Sequence, residues 1–453
     1  MQRIVQFNGK FGCSWCLHPG VSIPSFKKKK KTIKYPLLDK ISELRDPKKS
    51  LSHATQAVMS EKGEPVYGMK HPSPLVHLKK YNSIRGSVPD GMHLIFLGIC
   101  RQFDYYWFSM SGYPFSLGKN TLEHVEEKLG NIKAPRQIAR AIRTMKDRKH
   151  WKSREWENWL LYFSLPILKS IPGFERYTNY WELLVKATHI VLGDSIISED
   201  IMEAHKKLKT FVGLTEELYG AAAMTYNIHQ LLHLCQSIFD WGPMWSHFGY
   251  PFESGNGQIV KTIKAANGVV SQVCRSIEYQ KSAEKLESHL KITKNSPTIQ
   301  FCSSMSQKFT AKSIKLTNIR YFGNLLDTTD KHKLDFQLSE NAKSCHRIVK
   351  DNCLFTSSEK KLERSDSSYA VLDNNDFIQI KEFIIDETSG NELTIYKKLN
   401  TQNKFDNCSK VQLVNNTNEE LAWVETKKIK NLAVYVDTGL EAFIVAVPNK
   451  YHY

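Results

Sequence analysis

Tyr226-Asn-Ile-His229-Gln-Leu-Leu-His233 carries two histidines four residues apart within a helical pattern, so both imidazoles leave one face of the helix. A tetrahedral metal needs two further donors. The sequence supplies them far upstream, in Phe11-Gly-Cys13-Ser-Trp-Cys16. A Cys-x-x-Cys turn lets two thiolates reach one zinc. Cys13, Cys16, His229 and His233 therefore make a closed structural set, with His18 as a substitute donor. Each half has a plainer reading of its own. A Cys pair also serves redox chemistry, and paired histidines also hydrogen-bond within a helical core.

Around that helix the period stays helical from Asp90 to about Leu290: Met92, Phe96, Ile99 and Phe103 recur at three- and four-residue spacing, as do Trp156, Trp159, Leu160 and Phe163. Upstream, residues 1–85 are rich in Pro, Gly and Lys, with one short strand expected at Arg3–Phe7 and a helix near Asp39–Lys49. Residues 291–313, rich in Ser, Thr, Lys and Gln, read as a linker. Beyond it the period becomes two, at Tyr369–Leu372, Phe377–Ile380, Leu393–Tyr396, Val411–Val414 and Ala442–Val447, with turn chemistry between. The expected fold is α+β: an N-terminal segment (1–85), a helical region (86–290), the linker (291–313) and a small all-β domain (314–453). The β domain carries no catalytic constellation, and Cys345, His346 and Cys353 match no defensible metal spacing.

The chain has 453 residues and a formal charge of +17, and the excess is local. Residues 1–80 hold 16 Lys/Arg against 5 Asp/Glu, residues 131–154 hold 9 against 1, and the rest is near neutral. A uniformly basic protein is excluded, and two basic patches are the footprint of a polyanion binder. In the first, Lys27, Lys28, Lys29, Lys30 and Lys31 read as a phosphate-binding loop or a nuclear-import signal. In the second, Arg136, Arg140 and Arg143 fall on one face of an expected helix, extended by Arg148, Lys149, Lys152 and Arg154, and a row of this kind contacts phosphates. Nothing at the N-terminus reads as a signal peptide, no apolar stretch approaches the length of a membrane span, and the nine cysteines do not read as a disulfide framework, so the expected location is intracellular and, with the lysine run, nuclear.

Twenty residues after His233 comes Phe252-Glu253-Ser254-Gly255-Asn256. Together with Phe7-Asn-Gly-Lys-Phe-Gly-Cys13, Pro72-Ser-Pro-Leu75, Pro89-Asp-Gly-Met-His93, Leu97-Gly98, Trp151-Lys-Ser-Arg-Glu-Trp156 and the paired-histidine helix, it resembles the RNase H-like DDE recombinases with a zinc-binding helical insertion. The likeness is nearest to the CACTA/En-Spm transposases, over roughly residues 5–285, with Pro448-Asn449 resembling that group's C-terminus. The resemblance implies a remnant of an RNase H-like catalytic domain with a large all-helical insertion. It implies that Glu253 is the third metal-holding acid and that Asp90 and His93 form the group's Asp-x-x-His motif near the scissile phosphate. It also implies that Trp156, with Trp151, stacks on a DNA base, and that the protein forms homo-oligomers as transposases do. From the residues alone, Asp90 equally reads as a helix N-cap, and both tryptophans as core.

One departure limits the chemistry. The group carries its first two catalytic Asp before the Cys pair, whereas Met1–Gly12 contains no Asp or Glu. One carboxylate cannot assemble a two-metal clamp. Expected is a transposase-derived, DNA-binding protein without cleavage or strand transfer; magnesium or manganese would enter only with a full active site. The alternatives are the C-terminal part of a longer active transposase, or a recruited non-catalytic zinc-containing module that binds DNA or protein. With its sheet missing, the Glu253 helix should expose apolar surface.

Overall fold

A computed structural model of the chain describes residues 3–26, 31–40, 42–138, 143–292, 297, 313–315, 317–335, 337–360, 365–386 and 388–449. The N-terminal segment folds as a hairpin, β1 (Val21–Pro24) with β2 (Lys31–Lys34), and a helix, α1 (Pro47–Met59). The strand expected at Arg3–Phe7 reduces to one bridge between Ile4 and Met69. The helix expected near Asp39–Lys49 begins later, because the Asp46 side chain accepts the Lys49 N–H and Pro47 occupies the first helical turn.

A helical body follows. A π-wound helix over Met92–Cys100 runs straight into α2 (Arg101–Phe108), and α3 (Lys119–Asn131) and α4 (Ser153–Asn158) come next. A second π-wound turn, Trp159–Phe163, leads into α5 (Ser164–Lys169), after which come α6 (Glu175–Val191), α7 (Ser198–Tyr219), α8 (Tyr226–Trp241), α9 (Tyr250–Lys261) and α10 (Val269–Ile292). Phe103 and Trp107 on α2, Tyr180 and Trp181 on α6 and Phe211 on α7 interlock as a buried aromatic core, with Tyr180 stacked on Phe211 at 4.3 Å. Buried aromatic surface on this scale dominates the stabilisation of a helical body. In contrast, no residue of α9 is buried, and Phe252, Val260, Val270 and Tyr279 on α9 and α10 face solvent. Among the described residues, no helix is long and apolar enough to cross a membrane.

The C-terminal part is a β barrel. Strands β3 (Ser313–Lys315), β4 (Ile319–Phe322), β7 (Arg347–Lys350) and β8 (Cys353–Thr356) form a small sheet, while β5 (Leu326–Asp327) and β6 (Lys343–Cys345) extend from the barrel's edge. The barrel itself consists of β9 (Tyr369–Leu372), β10 (Phe377–Asp386), β11 (Asn391–Asn403), β12 (Val411–Glu425), β13 (Ile429–Asp437) and β14 (Ala442–Ala446). Its order is β11-β12-β14-β13-β9-β10, and β10 pairs back onto β11, closing the circuit with every pairing antiparallel. Closure leaves no free edge within the ring.

The barrel and the helical body share one hydrophobic core. Polar ties cross between them: the Asn407 N–H donates to Glu182 at 2.8 Å, Asn449 Nδ2 donates to the Leu192 carbonyl at 2.7 Å, and the Arg136 N–H donates to Ser367 at 3.1 Å. Most of the expected linker (293–296 and 298–312) lies outside the described residues.

Candidate metal centre

α8 starts where Thr225 caps the Ile228 N–H, and its i, i+4 spacing turns His229 and His233 towards the N-terminal segment. There the Cys13–Cys16 turn meets them, and all four side chains are buried. Cys16 Sγ lies 3.2 Å from His229 Nε2, Cys13 Sγ lies 3.6 Å from His233 Nε2, and the two Nε2 atoms are 3.4 Å apart. A tetrahedral zinc with ordinary Zn–S and Zn–N bonds sets its S···N and N···N edges at about 3.6 and 3.3 Å. The donor atoms therefore fit a single four-coordinate ion, and the cluster can bind a metal such as zinc.

The surroundings fix the donors in place. Trp15 stacks on His233 at 5.7 Å and Tyr35 stacks on His229 at 5.2 Å. The Trp15 N–H and Gln230 Nε2 both donate to Cys13 Sγ, at 3.4 and 3.2 Å. Burial opposes ionisation of Cys13, but hydrogen bonds from Cys16, His229 and His233 outweigh it and hold this thiol well below its usual range; sharing that bond with Cys13, together with burial, pushes Cys16 up. Binding a metal requires both thiols deprotonated and so releases their protons.

His18 is not a substitute donor. Its Nδ1 accepts the Gly20 N–H at 3.0 Å and its Nε2 donates to the Pro36 carbonyl at 2.9 Å, so neither ring nitrogen is free. Arg45 escaped the sequence reading. Its buried guanidinium donates from Nε to the Cys13 carbonyl at 2.7 Å and from Nη2 to the carbonyls of Phe11 and Tyr67 at 2.7 and 2.9 Å. It thus clamps the turn that presents the thiols. No motif spacing announces it.

A second constellation forms beside the first. His93 Nδ1 lies 2.5 Å from Asp90 Oδ2, and its Nε2 lies 3.4 Å from Glu253 Oε1. The three residues named together from the sequence are thus adjacent at the surface, with the imidazole between the carboxylates. Asp90 is also a helix cap, accepting the Met92 N–H at 3.1 Å through Oδ1.

The basic and aromatic positions require corrections. Trp156 and Trp151 are 2% and 4% exposed and pack on each other at 4.8 Å, so neither ring offers a face to a base. Arg136 and Arg143 do not share a helix: Pro135 follows the end of α3 at Asn131, and Arg136 sits in a turn. Arg143 forks onto Glu155 at 2.7 and 2.9 Å, Arg148 pairs with Asp104 at 3.1 Å, and Arg154 pairs with Glu157 at 3.2 Å beneath Tyr250. Each of these carboxylates is buried; Arg148 and Arg154 turn inward with theirs, whereas Arg143 keeps 43% of its side chain exposed while it pairs with Glu155. Arg136, Lys149, Lys152 and Lys31 remain exposed. Lys27, Lys28, Lys29, Lys30 and Arg140 lie outside the described residues.

No protein-family model matches the chain, and neither the curated proteins nor the solved structures yield a match.

Proposed function

We propose that this is a zinc-stapled, DNA-holding protein derived from the CACTA-type DDE transposases, acting in the nucleus on the phosphate backbone of DNA. The observation that carries the reading is the buried Cys13–Cys16–His229–His233 cluster, which joins segments 213 to 220 residues apart. Zinc suits this donor set because thiolates and imidazoles in a closed tetrahedral cage are its structural chemistry. The adjacency of Glu253 to Asp90 and His93 supports the transposase lineage, and with it an RNase H-like origin for the first 85 residues.

The same adjacency argues against cutting. Two-metal phosphodiester chemistry needs carboxylates converging on two ions about 4 Å apart. Among the described residues Glu253 faces an imidazole, while Asp90 is occupied in capping. The chain therefore holds DNA and leaves the phosphodiester intact. DNA contact falls to Arg136, Lys149, Lys152 and Lys31, which are exposed. Duplex binding followed by anisotropy across a salt series, with a cleavage assay in manganese on pre-nicked ends, tests both halves. Salt-independent binding removes the DNA reading, and joined ends remove the non-cleaving one.

A further inference from the structure

Behind the metal cluster, α7 and α8 together with residues 36–40 and 42–44 enclose a groove of two connected compartments, of about 610 and 560 Å³. Leu44, His205, Lys209, Leu232 and His233 line both, so the compartments meet at a waist beside the metal ligands. The groove is apolar and open. Leu44, Met202 and Phe239 stand at its walls 60%, 63% and 66% exposed. A contiguous exposed apolar surface of this kind marks an interaction site.

Its charge is one-sided. Lys40, Lys206 and Lys209 line the groove, and among the described residues no Asp or Glu lines either compartment. We propose that the groove is a docking site for an acidic amphipathic peptide segment of a partner protein. Apolar side chains of the segment would fill the two compartments on either side of Leu44, and its carboxylates would meet the three lysines. This is helix-in-groove recognition with electrostatic selection of the partner. Nucleic acid fits less well, because a phosphate backbone has nothing to place against Leu44, Met202 and Phe239. The proposal is independent of DNA binding, whose basic residues lie elsewhere in the chain.

The test uses the full zinc-loaded chain and a fluorescein-labelled peptide with leucines on one helical face and glutamates on the other. The control peptide has every glutamate replaced by lysine. Expected is saturable binding of the acidic peptide, with the lysine peptide weaker by roughly tenfold or more. Lys206→Glu with Lys209→Glu should cost roughly tenfold as well. Met202→Glu, at an exposed position, should abolish binding while zinc content and thermal unfolding stay unchanged, which separates a blocked groove from a misfolded chain. The proposal is overturned by failure of the acidic peptide to bind, by equal binding of both peptides, or by binding that the variants leave intact. Loss of duplex DNA affinity in Met202→Glu without any peptide binding would give the groove to nucleic acid, and overturns it too.

Discussion

Asp90 Oδ1 accepts the backbone N–H of Gly249 at 3.0 Å, joining the start of the first π-wound helix to the start of α9 across 159 positions. The same oxygen takes the Met92 N–H, and Oδ2 takes His93. One carboxylate therefore orders both helix entries and the imidazole that faces Glu253. Asp90→Ala should cost about 1–3 kcal/mol, and hydrogen exchange should accelerate first in α9. Asp90→Asn keeps an acceptor and should cost less. A Cβ on Gly249 would lie 2.6 Å from Asp90 Oδ2, so Gly249→Ala should mimic Asp90→Ala. Unchanged α9 protection in both variants would contradict the tie.

Zinc content is the second expectation. Elemental analysis should find one ion per chain, absent from Cys13→Ser/Cys16→Ser. Chelation should release the N-terminal segment, so amide protection should fall over residues 3–84 before it falls in the barrel. A folded wild type without metal defeats the assignment.

Arg45→Ala leaves the carbonyls of Cys13, Phe11 and Tyr67 without their shared donor. The bond to the Cys13 carbonyl is the buried one, an unpaired buried group costs about 1–3 kcal/mol, and the Cys turn loses its clamp. The expected result is weaker zinc retention against a competing chelator. Arg45→Lys should not restore it, since one ammonium cannot reproduce the planar fork.

The DNA reading predicts an unequal effect of neighbouring cations. Lys149→Ala with Lys152→Ala should lower the log–log salt slope by roughly two units. Arg148→Ala should barely change the slope but should destabilise the fold, because it strands Asp104 in the core. Equal slope changes from Arg148 and the lysine pair would show that the internal pairing does not hold in solution.

Glu182 supplies a pH test. Burial raises its carboxyl to about 7, against the pull of the Asn407 N–H it accepts. The folded state therefore keeps a proton that the unfolded chain releases above about 4.5. Stability from this group is fully present below about 4.5 and is lost as pH rises through about 7, by a few kcal/mol at most. Glu182→Gln should flatten that slope in denaturant titrations between those limits. A slope unchanged from wild type would remove Glu182 as its source.

Much of this architecture is legible in the residues. Tyr369–Leu372 is a strand as expected, the period-two runs at Phe377, Leu393 and Val411 each seed a longer one, and the run at Ala442 is a strand through Ala446. The strand Ile429–Asp437 escaped notice because Leu432–Val436 is almost continuously buried and does not alternate. The Cys and His pairs were readable because each half has a fixed local spacing. The partners of Arg143 and Arg148 were not: Glu155 and Asp104 lie 12 and 44 positions away, and only tertiary packing chooses such pairs. A row of basic residues looks the same in sequence whether it faces a polyanion or neutralises buried acids.

The span of the metal cluster also sets an order of events during synthesis. His229 leaves the ribosome 213 residues after Cys16, a wait of about 10–40 s at ordinary elongation rates. Throughout that interval Cys13 and Cys16 are nascent thiols with no imidazole partner, open to oxidation or to capture of a metal by two ligands alone. The cysteine turn is made well before the helix that secures it, so slowing translation between these points should lower the yield of native protein before it changes anything in the finished fold.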